Sequence, residues 1–142
     1  METPLYQGDS IKKLLLQREP ILMVETLYTA TEDEAETGLT VDADNIFCVD
    51  GELTEPGLIE HIAQSASAFA SYKTSLDGNN EALLGYIGEV KKLTITGDLP
   101  RSGQEVRTTV KIQQVVGNIT LFQVQTTVDG APIANCQMKL SV

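Results

Sequence analysis

One segment of this chain reads as a long helix, and nearly everything after it reads as strand. Between Pro56 and Tyr72 apolar residues recur at helical spacing, at Ile59, Ile62, Ala63, Ala66, Phe69 and Ala70. Pro56 suits a helix's first turn, and Asp77-Gly78-Asn79-Asn80 breaks the chain beyond the helix. Glu60, Gln64, Ser67 and Ser71 fall on an adjacent polar face. Small residues crowd the helix: Ala63, Ser65, Ala66, Ser67, Ala68, Ala70 and Ser71. A helix with so little bulk on every side is one that another element wraps closely.

The flanking segments supply the wrapping. Asp9-Ser10 is placed to cap a short helix over Ile11 to Leu16, which stops ahead of Pro20. Ile21 to Tyr28 and the alternating Glu34 to Val41, joined by the acidic turn Thr31-Glu32-Asp33, read as a hairpin. After the helix come a strand over Leu83 to Thr96, a turn-rich stretch from Gly97 to Gly103, and alternation from Val106 through Gln114. Gly117-Asn118 and Asp129-Gly130 are two-residue hairpin signals that bracket a strand over Ile119 to Val128, and Ala131 to Val142 closes the meander. The expected class is α+β, a single domain over residues 1–142 in which an antiparallel sheet buries one face against one long central helix.

Charge narrows the partners. The formal net charge of −10 argues against nucleic acid or an anionic membrane surface. No apolar run approaches the roughly 20 residues of a membrane span. Met1-Glu2-Thr3-Pro4 is acidic and lacks an apolar leader core, and Cys48 and Cys136 are too few for a disulfide framework; a cytoplasmic protein is expected. An acidic partner would need a local basic patch, for which Lys91-Lys92 with Arg101, or Lys12, Lys13 and Arg18, are candidates. Each of these also suits an ordinary solvated surface.

The helix start carries the candidate chemistry. Glu60 is either an acid–base group or a first-turn carboxylate that complements the helix dipole. His61 points roughly 100° away from Glu60 around the helix. It either serves a neighbouring site across a subunit boundary or makes a structural hydrogen bond. Gln64, four residues from Glu60, is spaced to hold its carboxyl group. Gly57 offers a backbone N–H or simply makes a turn. Cys48 lies near a helix N-terminus that can activate a thiol, but no second histidine pairs with it, and a small buried loop residue is the simpler reading. Asp42, Asp44, Asp50 and Glu52 lack calcium-loop spacing because Ile46 stands where a ligand should, and one histidine with two distant cysteines makes no zinc pattern. No metal is expected.

Several segments together resemble the hotdog-fold 3-hydroxyacyl-[acyl-carrier-protein] dehydratases. Leu15-Leu16-Gln17-Arg18-Glu19-Pro20-Ile21-Leu22-Met23-Val24-Glu25 looks like that family's opening segment. Pro56-Gly57 followed by Glu60 and Gln64 looks like its P-G and E-x-x-x-Q helix motif. Gly97-Asp98 and Asp129-Gly130 sit where the family makes its later turns. In the family a loop histidine removes the α-proton of the thioester, and the helix carboxyl group of the other subunit protonates the departing hydroxyl. Here no histidine occupies that loop. Cys48 stands in its place when counted from Pro56-Gly57, and Ile46 when counted from Glu60. The short spacing from Gly57 to Glu60 is similar to the divergent branch of aryl-polyene and related pigment clusters.

The resemblance implies dehydration of 3-hydroxyacyl thioesters in fatty-acid, polyketide or pigment biosynthesis. It implies Glu60 as acid and base with His61 assisting, and Gly57, Gln64 and Cys48 lining the substrate. It also implies an acyl carrier protein or acyl-CoA as partner, with Lys91, Lys92 and Arg101 docking the carrier. On the same resemblance the substrate is expected to ride on a phosphopantetheine arm with no cofactor beyond it, and two copies are expected to join in a homodimer. With the family histidine missing, two alternatives stay open: a hotdog acyl thioesterase, or a non-catalytic homologue that binds an acyl carrier or pairs with an active subunit.

Overall fold

The computed structural model describes residues 3–83 and 85–141. Met1, Glu2, Leu84 and Val142, which fall in the expected acidic N-terminus and the ends of expected strands, lie outside the described residues. The elements run β1 (Tyr6–Gln7), a 3₁₀ helix (Gly8–Lys13), β2 (Thr26–Ala30), β3 (Glu34–Thr40), β4 (Cys48–Val49) and β5 (Glu52–Leu53). Then come α1 (Glu55–Leu76), β6 (Tyr86–Ile95), β7 (Glu105–Val116), β8 (Ile119–Val128) and β9 (Ala131–Ser141). Seven strands form one antiparallel sheet in the order β1-β2-β3-β7-β8-β9-β6, and β4-β5 is a separate small hairpin. The sheet wraps α1, which is the hotdog architecture.

The two strong turns form as their sequences require. Val116 pairs with Ile119 across Gly117-Asn118, and Asp129 and Gly130 both take positive φ, 52° and 82°, the twist a two-residue hairpin demands. α1 runs about one turn beyond the expected Tyr72 because Lys73-Thr74-Ser75 contains no breaker. It ends where Gly78 turns left-handed at φ 91°, with Lys73 in the last turn facing the negative end of the dipole.

Two expected elements form differently. Ser10 does not cap a helix that follows it. Its Oγ accepts the Gln7 N–H at 2.8 Å and donates to the Gln7 carbonyl at 2.9 Å, which closes a tighter 3₁₀ turn over Gly8–Lys13. Ile21 to Glu25 lies outside β2, because the backbone groups of Ile21 and Met23 bond to side chains of α1 instead of to a neighbouring strand.

The expected polar face of α1 is not a solvent face. Every residue from His61 to Phe69 is buried, including Gln64, Ser65 and Ser67, and Ser71 is buried one turn further on. The segment after the helix folds back over it. Ser71 Oγ accepts the Leu83 N–H at 2.9 Å, and a Cβ on Gly85 would come within 2.7 Å of Ser67 Oγ, so the return passes where only glycine fits. Leu58, Ile62 and Phe69 are completely buried, each worth about 1.5–3 kcal/mol in transfer terms.

A polar row crosses the inner face of the sheet. Thr37, Thr108 and Thr126 are register partners on β3, β7 and β8, and all three are fully buried beneath α1. Burial of hydroxyls is tolerable only with partners. Thr108 and Thr126 bond at 2.8 Å, Thr37 meets Ser65 Oγ at 2.7 Å, and Ser65 donates to the His61 carbonyl at 2.8 Å. Among the described residues no buried side-chain polar atom lacks a partner.

Candidate active site

The carboxylate site is built on the first turns of α1. Thr54 precedes the helix but does not cap it with its hydroxyl, which donates to the Phe47 carbonyl at 2.7 Å. That bond draws the 42–48 loop onto the helix start. Gly57 is the contact point: a Cβ there would fall 2.5 Å from Phe47 Cβ and 2.7 Å from Leu53 Cδ1. Packing alone demands glycine at this position.

Glu60 lies one turn into the helix and is half-buried. Gln64 Nε2 donates to Glu60 Oε2 at 2.9 Å, the contact expected from their spacing. The orientation of the Gln64 amide follows from its other partners. The Met23 N–H can only donate, so the oxygen 2.6 Å from it is Gln64 Oε1. The Ile21 carbonyl can only accept, so Nε2 faces it at 2.9 Å. Gln64 thus presents one N–H to Ile21 and the other to Glu60. Glu60 Oε1 has no hydrogen-bond partner among the described residues.

His61 faces the sheet of its own chain, not a subunit boundary, and is completely buried. Nδ1 lies 2.7 Å from the Met23 carbonyl and Nε2 lies 2.9 Å from Thr108 Oγ1. A carbonyl oxygen only accepts, so Nδ1 carries the proton. Burial lowers the imidazole to about 4, against a weaker opposing pull from the Met23 carbonyl. The ring is therefore neutral at neutral pH, and bare Nε2 accepts from Thr108. Thr108 has then used its proton, so Thr126 donates to Thr108. An imidazole with both nitrogens engaged beneath the helix has neither the exposure nor a free lone pair to act as a base.

None of the remaining expected residues bonds to Glu60 among the described residues. Cys48 is half-buried in β4; burial, with the charge of Asp42 beside it, pushes its thiol up, away from the reactive thiolate, and its Sγ faces the Asp42 carbonyl at 3.5 Å. Lys91 lies on β6 and pairs with Glu89 at 3.5 Å, whereas Arg101 follows Pro100 and pairs with Glu52 at 3.9 Å. Lys92 sits in a β6 bulge at φ 55° and makes no ion pair among the described residues. Among the described residues none of the three pairs with Glu60.

Sequence reasoning missed Met23, Ile21, Thr108 and Thr126. The first two act through backbone atoms, which no residue type advertises. The threonines read as ordinary strand residues, although their shared row facing a histidine is a pattern of pairing and not of spacing.

Two comparisons place this geometry among known proteins. A family model described as ApeP-like, ApeP dehydratase, matches residues 9–142. No curated protein sequence matches the chain significantly. Among solved structures, the dehydratase heterocomplex ApeI:P from Xenorhabdus doucetiae superposes with a TM-score of 0.85 at 14% identity, covering 99% of this chain and 91% of that one. An HP0420 homologue from Helicobacter felis gives 0.68 at 14% identity over 92% and 87%. A hypothetical thioesterase with coenzyme A from Streptococcus pneumoniae gives 0.63 at 10% identity over 82% and 83%. At these identities the structures testify to the fold, whereas the family model spans all but the first eight residues and the chain thereby belongs to the ApeP-like dehydratase family.

Proposed function

We propose that this chain is the carboxyl-bearing subunit of a two-subunit dehydratase that converts 3-hydroxyacyl thioesters, held on an acyl carrier protein, to enoyl thioesters. The observation that carries this is the contrast between Glu60 and His61. Glu60 is half-exposed, oriented by Gln64 and has one oxygen open, while the only histidine of the chain is locked in the core.

In the reaction a base takes the C2 proton, the C–H pair becomes the C2–C3 double bond, and the C3–O bond breaks as Glu60 protonates the departing hydroxyl. Water leaves, and the base's proton returns to the carboxylate through solvent. The Gly57 N–H, at the helix start, is offered to the thioester oxygen. The base comes from a second hotdog chain with a histidine in the loop where this chain has Cys48. Such a pair would hold one complete site, since the other would join the partner's carboxyl group to Cys48.

Two further observations support a partner. The relative from Xenorhabdus doucetiae is described as a heterocomplex. At the last strand of the sheet, β6, Tyr86, Ile87 and Gly88 stay exposed, leaving an open edge that a second sheet can extend. The test is an assay of enoyl-thioester formation by this chain alone and together with a histidine-bearing hotdog subunit. Turnover that appears only in the mixture, and disappears with Glu60→Gln, is the expected result. Full dehydration by this chain alone would overturn the two-subunit reading.

The absence of a usable histidine also suits a thioesterase, in which one carboxylate activates water. The two reactions separate by product: dehydration leaves the thioester intact, hydrolysis releases a free thiol.

A further inference from the structure

Both backbone polar groups of Met23 are held by one helix. His61 takes the carbonyl through Nδ1–H at 2.7 Å, and Gln64 takes the N–H through Oε1 at 2.6 Å. Residues three apart on a helix share a face, so His61 and Gln64 grip a single residue of the crossing segment between them. That grip decides what the rest of the Gln64 amide does. With Oε1 committed to Met23, Nε2 is turned toward Glu60 Oε2. If Met23 shifts, Oε1 loses its donor, the Ile21 carbonyl alone is left to hold the amide, and the N–H that sets the plane of the Glu60 carboxyl group is less firmly placed.

We propose that His61 is a positioning residue for the Glu60 carboxyl group, acting through Met23 and Gln64, a role that rests on the reading of Glu60 as the reacting acid. Three features fit. The backbone of Met23 makes no bond to a strand, and the first ladder-like bond of the segment is the Glu25 N–H on the Gly38 carbonyl, so at Met23 the two helix side chains supply what a ladder would. The donor from Thr108 occupies Nε2 and so keeps the proton on Nδ1, where Met23 needs it. The row Thr126–Thr108–His61 is anchored in the middle strands of the sheet, the part least free to move.

Two substitutions give opposite orders for positioning and for packing. Asparagine keeps an N–H on the atom that corresponds to Nδ1; leucine lacks it but is closer in bulk and apolarity. A side chain that only filled the core would be better replaced by leucine. In the assembly that carries the activity, His61→Leu is expected to lose about 10–100-fold in kcat with KM within about twofold, and His61→Asn to recover most of that loss. Leucine matching or exceeding asparagine overturns the proposal, as does equal loss in both, which would make the ring itself the reacting group. Glu60→Gln is measured alongside. An inactive Glu60→Gln beside a fully active His61→Leu overturns the positioning role alone, whereas a fully active Glu60→Gln removes the site reading and this one with it. A readout independent of activity and of any variant's folding is the ring ¹⁵N spectrum of the wild-type chain at neutral pH. It is expected to show the proton on Nδ1, and a proton on Nε2 overturns the proposal.

Discussion

Thr108 donates its hydroxyl proton to His61 Nε2 at 2.9 Å, and this bond joins the middle of the sheet to the helix that carries the candidate carboxylate. It exists only while the imidazole is neutral. A proton on Nε2 would place a charge in the core, which is why burial lowers the group to about 4 from 6.5.

The first prediction is a pH-dependent stability. The unfolded chain binds a proton on His61 below about pH 6.5, and the folded chain does not until about pH 4. Stability is therefore complete above the unfolded value and falls as pH drops through this window, by about 2 kcal/mol at pH 5. Carboxylates titrate mainly below that point, so the slope from pH 6.5 to 5 belongs to the histidine. Denaturant unfolding at fixed protein concentration should show it, and His61→Phe should flatten it. A wild-type profile flat over this range would contradict a neutral, buried imidazole.

Glu60→Gln should abolish turnover while leaving fold and assembly unchanged. The amide oxygen can still accept from Gln64 Nε2, so the local bond survives while the exchangeable acid proton does not. The expected loss is about 10²–10⁴-fold in kcat, read as enoyl-thioester formation with thiol release followed in parallel. Cys48→Ala should change the rate by less than about twofold, since desolvation disfavours the thiolate there.

Gln64→Leu should be costly twice over. It strands the Met23 N–H and the Ile21 carbonyl, so stability should fall by about 1–3 kcal/mol, measured by denaturation. It also removes the donor on Glu60, so kcat should fall even at temperatures where the variant is fully folded. Wild-type kcat in a folded Gln64→Leu would separate this glutamine from the chemistry.

How much of this was legible in the sequence depends on whether a residue acts by its side chain or through its backbone. The hairpins at Gly117-Asn118 and Asp129-Gly130 and the single helix were readable because turn chemistry and periodicity are local, whereas the pairings of β3 with β7 and β6 with β9 join distant segments and were not. The Glu60–Gln64 contact was readable because helical spacing fixes it. The burial of Gln64, Ser67 and Ser71 was not, because polar residues spaced on one helix face look solvated until the segments that cover them are known. His61 was the least legible. Its neighbours Met23 and Thr108 lie 38 and 47 residues away, and only tertiary pairing turns a candidate base into a buried strut.

Carrier binding should depend most on Lys92. Lys91 and Arg101 are each already near a carboxylate, whereas Lys92 has no such partner among the described residues and stands exposed in its bulge. Lys92→Glu should therefore weaken binding of an acyl carrier protein at low salt more than Lys91→Glu does, measured by titration calorimetry. Equal affinities for wild type and Lys92→Glu would exclude this strand as the docking surface.

The last prediction concerns assembly. Ile87 faces the inner side of the sheet, beside Leu140, yet remains 43% exposed because β6 is the sheet's final strand and no further strand follows it. An apolar side chain at such a position is covered when a second sheet joins the edge, and a charge there opposes the joining. Ile87→Lys should leave the isolated fold intact, since the lysine head can reach water from a half-exposed site. It should also shift sedimentation from dimer to monomer at micromolar concentration. Mixed with a histidine-bearing hotdog subunit, the wild-type chain should form a one-to-one pair in preference to its own dimer, and Ile87→Lys should not. If Ile87→Lys assembles and turns over as the wild type does, the β6 edge is not where the partner binds, and Glu60 must meet its base by another route.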